Sequence, residues 1–139
     1  MEYLTKREYS YAELGQKLKA YAEETDDIPA LLNDFKARGW LSDARFTEQI
    51  VHARKTKFGS MRVANELREK GVDDALIADA IERVKVDELD NAKTVWRKKF
   101  KAAPNNRDEW AKQARFLQSR GFGFDIIKNV LNSKFEDDN

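Results

Sequence analysis

Lysine and arginine side chains carry the most evident chemistry of this sequence, because they lie in three windows that contain no acid. The windows span residues 49–65, 91–107 and 111–124. Surface helices usually interleave both signs, so these windows favour a surface that binds a polyanion or an acidic protein, with a solvated face as the alternative. The cations predicted to contact a partner or DNA are Arg54, Lys57, Arg62, Arg97, Lys98, Lys99, Arg115 and Arg120.

The formal net charge of +1 hides an asymmetry along the chain. Residues 1–48 hold 10 acids and 7 bases, a net charge of −3, whereas residues 49–139 hold 15 acids and 19 bases, a net charge of +4. Such a distribution indicates a basic region on an otherwise neutral protein. Arg62 also belongs to one of the short motifs given below, and it is predicted to be the best placed for a partner, because it is the one motif position with no evident capping or core role.

Residues suited to catalysis or metal binding are few. His52 is the single histidine, and no phosphate-binding glycine loop or partner for a Ser42 nucleophile is present. Asp26 with Asp27, and Asp73 with Asp74, each precede a predicted helix, where carboxylates interact favourably with the helix N-terminus. The sequence therefore predicts a protein that is not an enzyme and has no cofactor or metal.

Two tryptophans near the second window offer a second interpretation of the basic surface. Trp96 and Trp110 could stack on bases, but packing in the core of a small helical unit is the favoured role. The helix pair within 60–84 is a helix-turn-helix candidate, yet it lacks the Asn, Gln and Arg pattern of a recognition helix. Direct base reading is therefore not expected.

Helical periodicity covers the chain, and only two prolines occur, so the predicted fold class is all-α. Helices are predicted to begin at Ser10, which has the capping-box spacing to Glu13, near Pro29, and around Ser42. The second is expected to bury Leu31, Leu32 and Phe35, and the third to bury Phe46, Ile50, Ala53 and Phe58. Further helices are expected at about 60–70, 73–84, 88–101, 107–120 and 124–133.

A nine-residue pattern occurs twice, as ANELREKGV at 64–72 and ARFLQSRGF at 114–122. Its glycines, Gly71 and Gly121, suit the left-handed position that ends a helix, and FKARGW places Gly39 in the same way. The two copies lie fifty residues apart, which predicts tandem helical units that contact mainly their neighbours. The expected units are 1–58, 59–103 and a shortened 104–139 with an acidic tail.

Cysteine is absent, and no apolar run approaches the roughly 20 residues of a membrane span. These features, with 37% charged residues and a mean hydropathy of −0.78, favour a cytoplasmic helical protein without a membrane partner.

Four short motifs follow one another along nearly the whole chain. They are Arg7-Glu8-Tyr9-Ser10 with Glu13-Leu14 and Lys17-Leu18; Leu41-Ser42-Asp43-Ala44-Arg45-Phe46; Gly59, Arg62-Val63, Glu66-Leu67 and Lys70-Gly71; and Arg115-Phe116-Leu117 with Arg120-Gly121-Phe122. Each alone is largely helix capping and core. In this order and spacing they resemble the RecX family, the regulators of the bacterial recombinase RecA.

The resemblance implies an elongated, curved array of three tandem three-helix repeats, the last shortened. It implies a monomer that docks along the groove of a RecA filament on single-stranded DNA. There it would inhibit ATP hydrolysis, strand exchange and co-protease activity, and so modulate recombinational DNA repair and the SOS response.

A mechanism follows as a hypothesis from the charge pattern and the resemblance together. The basic windows face the DNA of the filament, single-stranded or double-stranded, or its acidic walls, and the acidic N-terminal third faces basic elements of RecA. The alternatives are a helical DNA-binding protein that acts without RecA, and an adaptor that binds only proteins.

Overall fold

The computed structural model describes residues 7–23 and 26–137, and this part of the chain contains eight helices and no strand. The prediction of an all-α fold is therefore confirmed. In chain order the helices are α1 (Tyr11–Lys19), α2 (Ile28–Ala37), α3 (Asp43–Arg54), α4 (Ser60–Glu69), α5 (Asp74–Val86), α6 (Glu88–Lys99), α7 (Arg107–Ser119) and α8 (Phe124–Asp137).

Side-chain caps begin several of these helices at the predicted residues. The Ser10 hydroxyl accepts a hydrogen bond from the backbone N–H of Glu13, and Ser42 caps α3 in the same way. Asp27 and Asp73 cap α2 and α5 and Asp74 lies in the first turn of α5, as expected, whereas Asp26 instead accepts a hydrogen bond from the N–H of Glu23. These bonds satisfy backbone N–H groups that have no partner within the helix.

Three glycines end helices in the left-handed conformation, as the repeated pattern predicts. Their φ angles are +77° at Gly39, +77° at Gly71 and +90° at Gly121. After each glycine the next N–H returns to a carbonyl in the last helical turn; Val72, for example, donates to Leu67 at 3.0 Å. All three are Schellman-type helix ends.

Apolar side chains form three separate cores within the described residues, and these cores define the units used below. Unit 1 contains α1 and α2, unit 2 contains α3 to α5, and unit 3 contains α6 to α8. The core residues are Tyr9, Leu14, Leu32, Phe35 and Leu41 in unit 1; Phe46, Val51, Val63, Ala64, Leu67, Val72, Ile77, Ala80 and Val84 in unit 2; and Ala92, Trp96, Leu117, Phe122, Ile127, Val130 and Leu131 in unit 3.

The cores group the helices differently from the sequence period. The predicted limits at 58/59 and 103/104 assign α3 to the first unit. In the structure, Phe46 and Val51 of α3 pack with α4 and α5, which belong to unit 2. Counted by core, the last unit contains three helices rather than two. The fifty-residue period begins at the middle helix of a unit, because the repeated pattern marks where α4 and α7 end.

The chain exposes more surface than a typical compact protein of the same mass. Its accessible surface is 9254 Å², against roughly 7,500 Å² expected for a compact protein of this size. Helix pairs with extensive contact lie within one unit, except α5 with α6, which follow each other in the chain. The units therefore stack mainly through their ends.

Three predicted core positions, Leu31, Ala53 and Phe58, lie outside the cores, and of these Phe58 is half-buried. Leu31 is 41% exposed, because α2 packs on α1 through Leu32 and Phe35, and Leu31 only lines a surface pocket with Leu18 and Tyr21. Ala53 is also exposed, whereas Thr47 is buried. Helix α3 contacts both α4 and α5, so its buried face is turned toward Thr47 rather than Ala53.

Candidate functional site

The units meet at two joints that repeat along the chain, and each joint brings helix ends together. At the second joint, between units 2 and 3, the N–H of Gly59 donates to the carbonyl of Arg120 at 2.8 Å, and Met61 donates to Gly121 at 3.1 Å. The unpaired N–H groups at the start of α4 therefore meet the unpaired carbonyls at the end of α7.

A buried carboxylate completes the second joint. Glu88, the first residue of α6, is 4% exposed and accepts a hydrogen bond from the N–H of Ser60 at 2.9 Å. The negative charge lies at the positive end of the α4 dipole, where it is stabilised. Backbone approaches backbone here, since a Cβ atom built on Gly59 would lie 2.4 Å from the Gly121 carbonyl oxygen.

The first joint, between units 1 and 2, has the same plan with different groups. The Ser10 hydroxyl donates to the carbonyl of Lys70 at 2.6 Å, and the N–H of Tyr11 donates to Asp43, the first residue of α3, at 2.7 Å. Ion pairs join the same ends: Lys70 with Glu13 at 3.0 Å, and Arg45 with Glu8 at 2.9 Å.

Cations and aromatic rings alternate in a row that crosses the second joint. We call these residues, Arg62, Phe58, Arg120, Phe116 and Lys99, the cation–aromatic row. In that order the charged groups and ring centroids are separated by 4.1, 5.7, 5.2 and 5.7 Å. All four distances lie within the range of cation–π attraction, about 0.5–1 kcal/mol each at exposed sites. The row brings together three of the eight predicted site residues.

Arg62 has a structural role, contrary to the expectation that it has none. Its guanidinium donates to the carbonyl of Ser119 at 3.3 Å and covers the ring of Phe58. Its Cβ fills the space beside Gly121, where a second Cβ would lie only 2.3 Å away. Arg62 therefore packs across the second joint and links α4 to the end of α7. Only the solvent-exposed part of its guanidinium is available to a partner.

Arg54 is bound within unit 2. Its guanidinium donates two hydrogen bonds to the Glu66 carboxylate, at 2.9 and 3.3 Å. The hydrogen bond and then the negative charge of Glu66 raise the pKa of Arg54, against a smaller opposite effect of burial. The pair ties α3 to α4 and neutralises much of the Arg54 charge.

The other predicted cations have side chains without a hydrogen bond, ion pair or ring contact to any described residue. Arg97 and Lys98 lie in the last turn of α6, next to Lys99 of the row. Lys57 lies in the turn beside Phe58, and Arg115 lines a groove between α4 and α7.

Other chemical candidates have structural positions. Trp96 is 5% exposed and donates to Gln113 at 2.7 Å, and Trp110 packs partly buried on the same core, as predicted. His52 is exposed on α3. Between residues 7 and 137, apart from 24 and 25, no group of His, Asp and Glu could hold a metal ion, and none of the helices has the length and apolarity to cross a membrane.

Sequence reasoning missed the acids that close the joints. Asp43 and Glu88 play equivalent parts but lie 45 residues apart, so the fifty-residue period did not reveal them. It also missed Phe58 and Phe116 as ring partners for cations. The signal for both rings was a basic residue four positions later, at Arg62 and Arg120. Within one helix this spacing places two side chains on the same face. Phe116 and Arg120 fulfil this condition, since Arg120 is the C-cap residue of α7.

These features define a class of protein: an array of helical units, two of them with three helices each, that has a partly basic surface at a joint. Two family models match the chain, described as the second three-helix domain of RecX over residues 42–81 and the third over residues 86–131. The matched limits follow the cores of units 2 and 3. The chain belongs to the RecX family of regulatory proteins.

Relatives over nearly the full length support the same family. The chain is 42% identical over 137 residues to the regulatory protein RecX of Chromobacterium violaceum, covering 99% of this chain and 89% of the relative. It is 41% identical over 131 residues to that of Leptothrix cholodnii, covering 94% and 83%.

Solved structures share the fold. A crystal structure of RecX from Lactobacillus salivarius superposes with a TM-score of 0.78 at 20% identity, covering 97% of this chain and 91% of that one. A second RecX structure has a TM-score of 0.81 at 18% identity, covering 95% and 68%.

Proposed function

We propose that this protein is a negative regulator of RecA. It binds in the groove of RecA filaments on single-stranded DNA and inhibits ATP hydrolysis, strand exchange and co-protease activity. Membership of the RecX family carries this proposal. In this role the protein acts in the cytoplasm as a monomer without a cofactor.

The cation–aromatic row is the proposed centre of the contact with the filament. Arg62 and Arg120 are held by ring and backbone contacts, so little side-chain entropy remains to be lost when a partner binds. Lys99 extends the row onto α6, where Arg97 and Lys98 add two free charges. Arg54 is a weaker contributor, because Glu66 already binds its guanidinium.

The competing function is a DNA-binding protein that acts without RecA. The free cations at Lys57, Arg97, Lys98 and Arg115 favour it, because each cation that meets a phosphate releases counterions. The two functions differ in what the protein prefers to bind. A RecA regulator prefers the coated filament, whereas a DNA-binding protein prefers bare DNA or binds both equally.

A binding and activity assay separates the two. Affinity for bare and for RecA-coated single-stranded DNA is measured across a salt series, together with the RecA ATPase rate. We expect tighter binding to the coated strand and a fall in ATPase rate with added protein. Equal or tighter binding to bare DNA, with an unchanged ATPase rate, would overturn the proposal.

A further inference from the structure

A groove runs beside the second joint, on the side where α4 faces α7 and the start of α8. Its walls are formed mainly by apolar and small side chains, together with two arginines. The lining residues that matter here are Met61, Arg62, Trp110, Arg115, Phe122 and Phe124. Met61 is 59% exposed and Phe124 is 64% exposed. Large apolar side chains at one rim are therefore left open to solvent.

The charge of this groove has one sign. Arg62 and Arg115 line it, and no acid does among the described residues. Arg115 is exposed and its side chain has no ionic partner in the described part of the chain, so its charge is available. A groove at the first joint, which also includes the end of α2 and the start of α3, is lined by Asp43 and Asp73 as well as by cations. Of these two grooves, only the one at the second joint combines apolar side chains with positive charge and no acid.

We propose that this groove binds a protein segment in which apolar side chains alternate with carboxylates. The apolar side chains cover Met61 and Phe124, and the carboxylates pair with Arg115 and with the exposed side of Arg62. Exposed apolar groups gain free energy when they leave water, and arginine binds carboxylates through two parallel hydrogen bonds. Methionine adapts its shape to different apolar partners.

A protein segment fits the groove better than a nucleic acid does. A polynucleotide needs cations along its backbone and free ring faces for its bases. Here Trp110 is packed on the core of unit 3 and its N–H donates to Asn132 at 3.1 Å, while the ammonium of Lys128 lies 5.3 Å from the centroid of the exposed Phe124 ring. Two arginines beside exposed aliphatic and aromatic side chains match an acidic, apolar peptide.

The inference does not rest on the proposed function. Met61 and Phe124, which carry the apolar half of the argument, belong to neither the cation–aromatic row nor the predicted cation set. A segment bound here can therefore come from a protein other than the recombinase. Inhibition of the RecA ATPase, measured separately, tests the proposed function and leaves the peptide result unaffected.

Selection of peptides against the full chain tests the groove. A library of displayed random peptides is selected on the immobilised protein, and the enriched peptides are synthesised with a fluorescent label. Their affinities are measured by anisotropy for the unchanged chain and for Arg115→Glu, Met61→Ser and Lys112→Glu. Lys112 lies on the same helix as Arg115 but does not line the groove, so it controls for charge alone. A labelled oligothymidylate is measured in parallel.

The enriched peptides are expected to combine apolar residues with aspartate or glutamate. Arg115→Glu should weaken their binding about tenfold, Met61→Ser about threefold, and Lys112→Glu less than about twofold. Circular dichroism checks that each variant is folded. The inference is overturned if no acidic, apolar sequence is enriched, or if Arg115→Glu leaves peptide affinity unchanged. It is equally overturned if the groove variants weaken only the oligothymidylate.

Discussion

The two joints occupy equivalent positions, fifty residues apart, and differ in the groups that close them. At the first joint, ion pairs join the units; their cations, Lys70 and Arg45, are 40% and 47% exposed, and the partner acids, Glu13 and Glu8, are 10% and 27% exposed. At the second joint, backbone hydrogen bonds and the buried Glu88 join the units, and arginines cover aromatic rings. One architecture therefore supports a polar, salt-sensitive connection and a close-packed one.

The difference explains where a partner surface can form. The close contact at the second joint fixes Arg62 and Arg120 in place and aligns their charges with those of α6. At the first joint the cations pair with acids of the neighbouring unit, so their charge is already neutralised. Binding capacity should therefore be concentrated at the second joint, while the first sets how firmly unit 1 is held.

The largest expected loss of stability comes from substituting the glycines that end helices. An alanine at Gly121 would meet Arg62 atoms at 2.3 and 2.7 Å in addition to its unfavourable φ. Gly121→Ala should therefore lower the free energy of unfolding by about 3 kcal/mol or more. Gly71→Ala, which meets only the Ala12 side chain closely, should cost about 2 kcal/mol. Urea unfolding followed by circular dichroism gives both values.

Gly39→Ala is the matched control for this series. Gly39 has the same φ as Gly71, but nothing lies within 4 Å of an added Cβ. It should cost about 1 kcal/mol, from the backbone conformation alone. If the three substitutions cost the same, close packing at the joints is not the reason for the glycines.

A smaller effect is expected for the carboxylates that bind helix N-termini at the joints. Glu88→Gln keeps an acceptor for the Ser60 N–H but removes the buried charge, and should cost about 1–2 kcal/mol. Asp43→Asn, at the half-buried equivalent, should cost about 0.5 kcal/mol. Unfolding free energies at neutral pH measure both. Equal costs would show that burial does not distinguish the joints.

A similarly small effect is expected from the ion pairs at the first joint. Arg45→Ala removes the pair with Glu8 and an exposed hydrogen bond to the Gly39 carbonyl, and should cost about 1 kcal/mol. Salt screens exposed charges, so this cost should shrink as ionic strength rises toward about 1 M. The cost of Gly121→Ala, which is steric, should stay constant in the same series. A cost of Arg45→Ala that is independent of salt contradicts the ionic description of this joint.

The sequence predicted the helices and their ends well, because capping and positive φ are local requirements. The hydroxyls of Ser10 and Ser42 cap helix starts, and the three glycines adopt the positive φ that ends a helix, so the residue types themselves indicate these positions. The arrangement at the joints could not be predicted in the same way. Glu88 binds Ser60 across 28 residues of chain, and only packing of the units brings them together.

The candidate site was predicted in part for the same reason. Arg120 and Lys99 were selected because acid-free windows contain them, and the fold places them in one row. That Glu66 binds Arg54, and that Arg62 donates to the Ser119 carbonyl, depends on how α3 and α7 approach α4. Charge counts along the chain cannot distinguish a free arginine from a bound one.

The central claim is that the cation–aromatic row at the second joint contacts the RecA filament. Inhibition of the RecA ATPase by Lys99→Glu, compared with Lys85→Glu, tests it most directly. Both lysines are exposed in the last turn of a helix, but only Lys99 belongs to the row. We predict that Lys99→Glu raises the concentration needed for half-inhibition about tenfold, and that Lys85→Glu leaves it nearly unchanged. Equal inhibition by the two variants would contradict the claim.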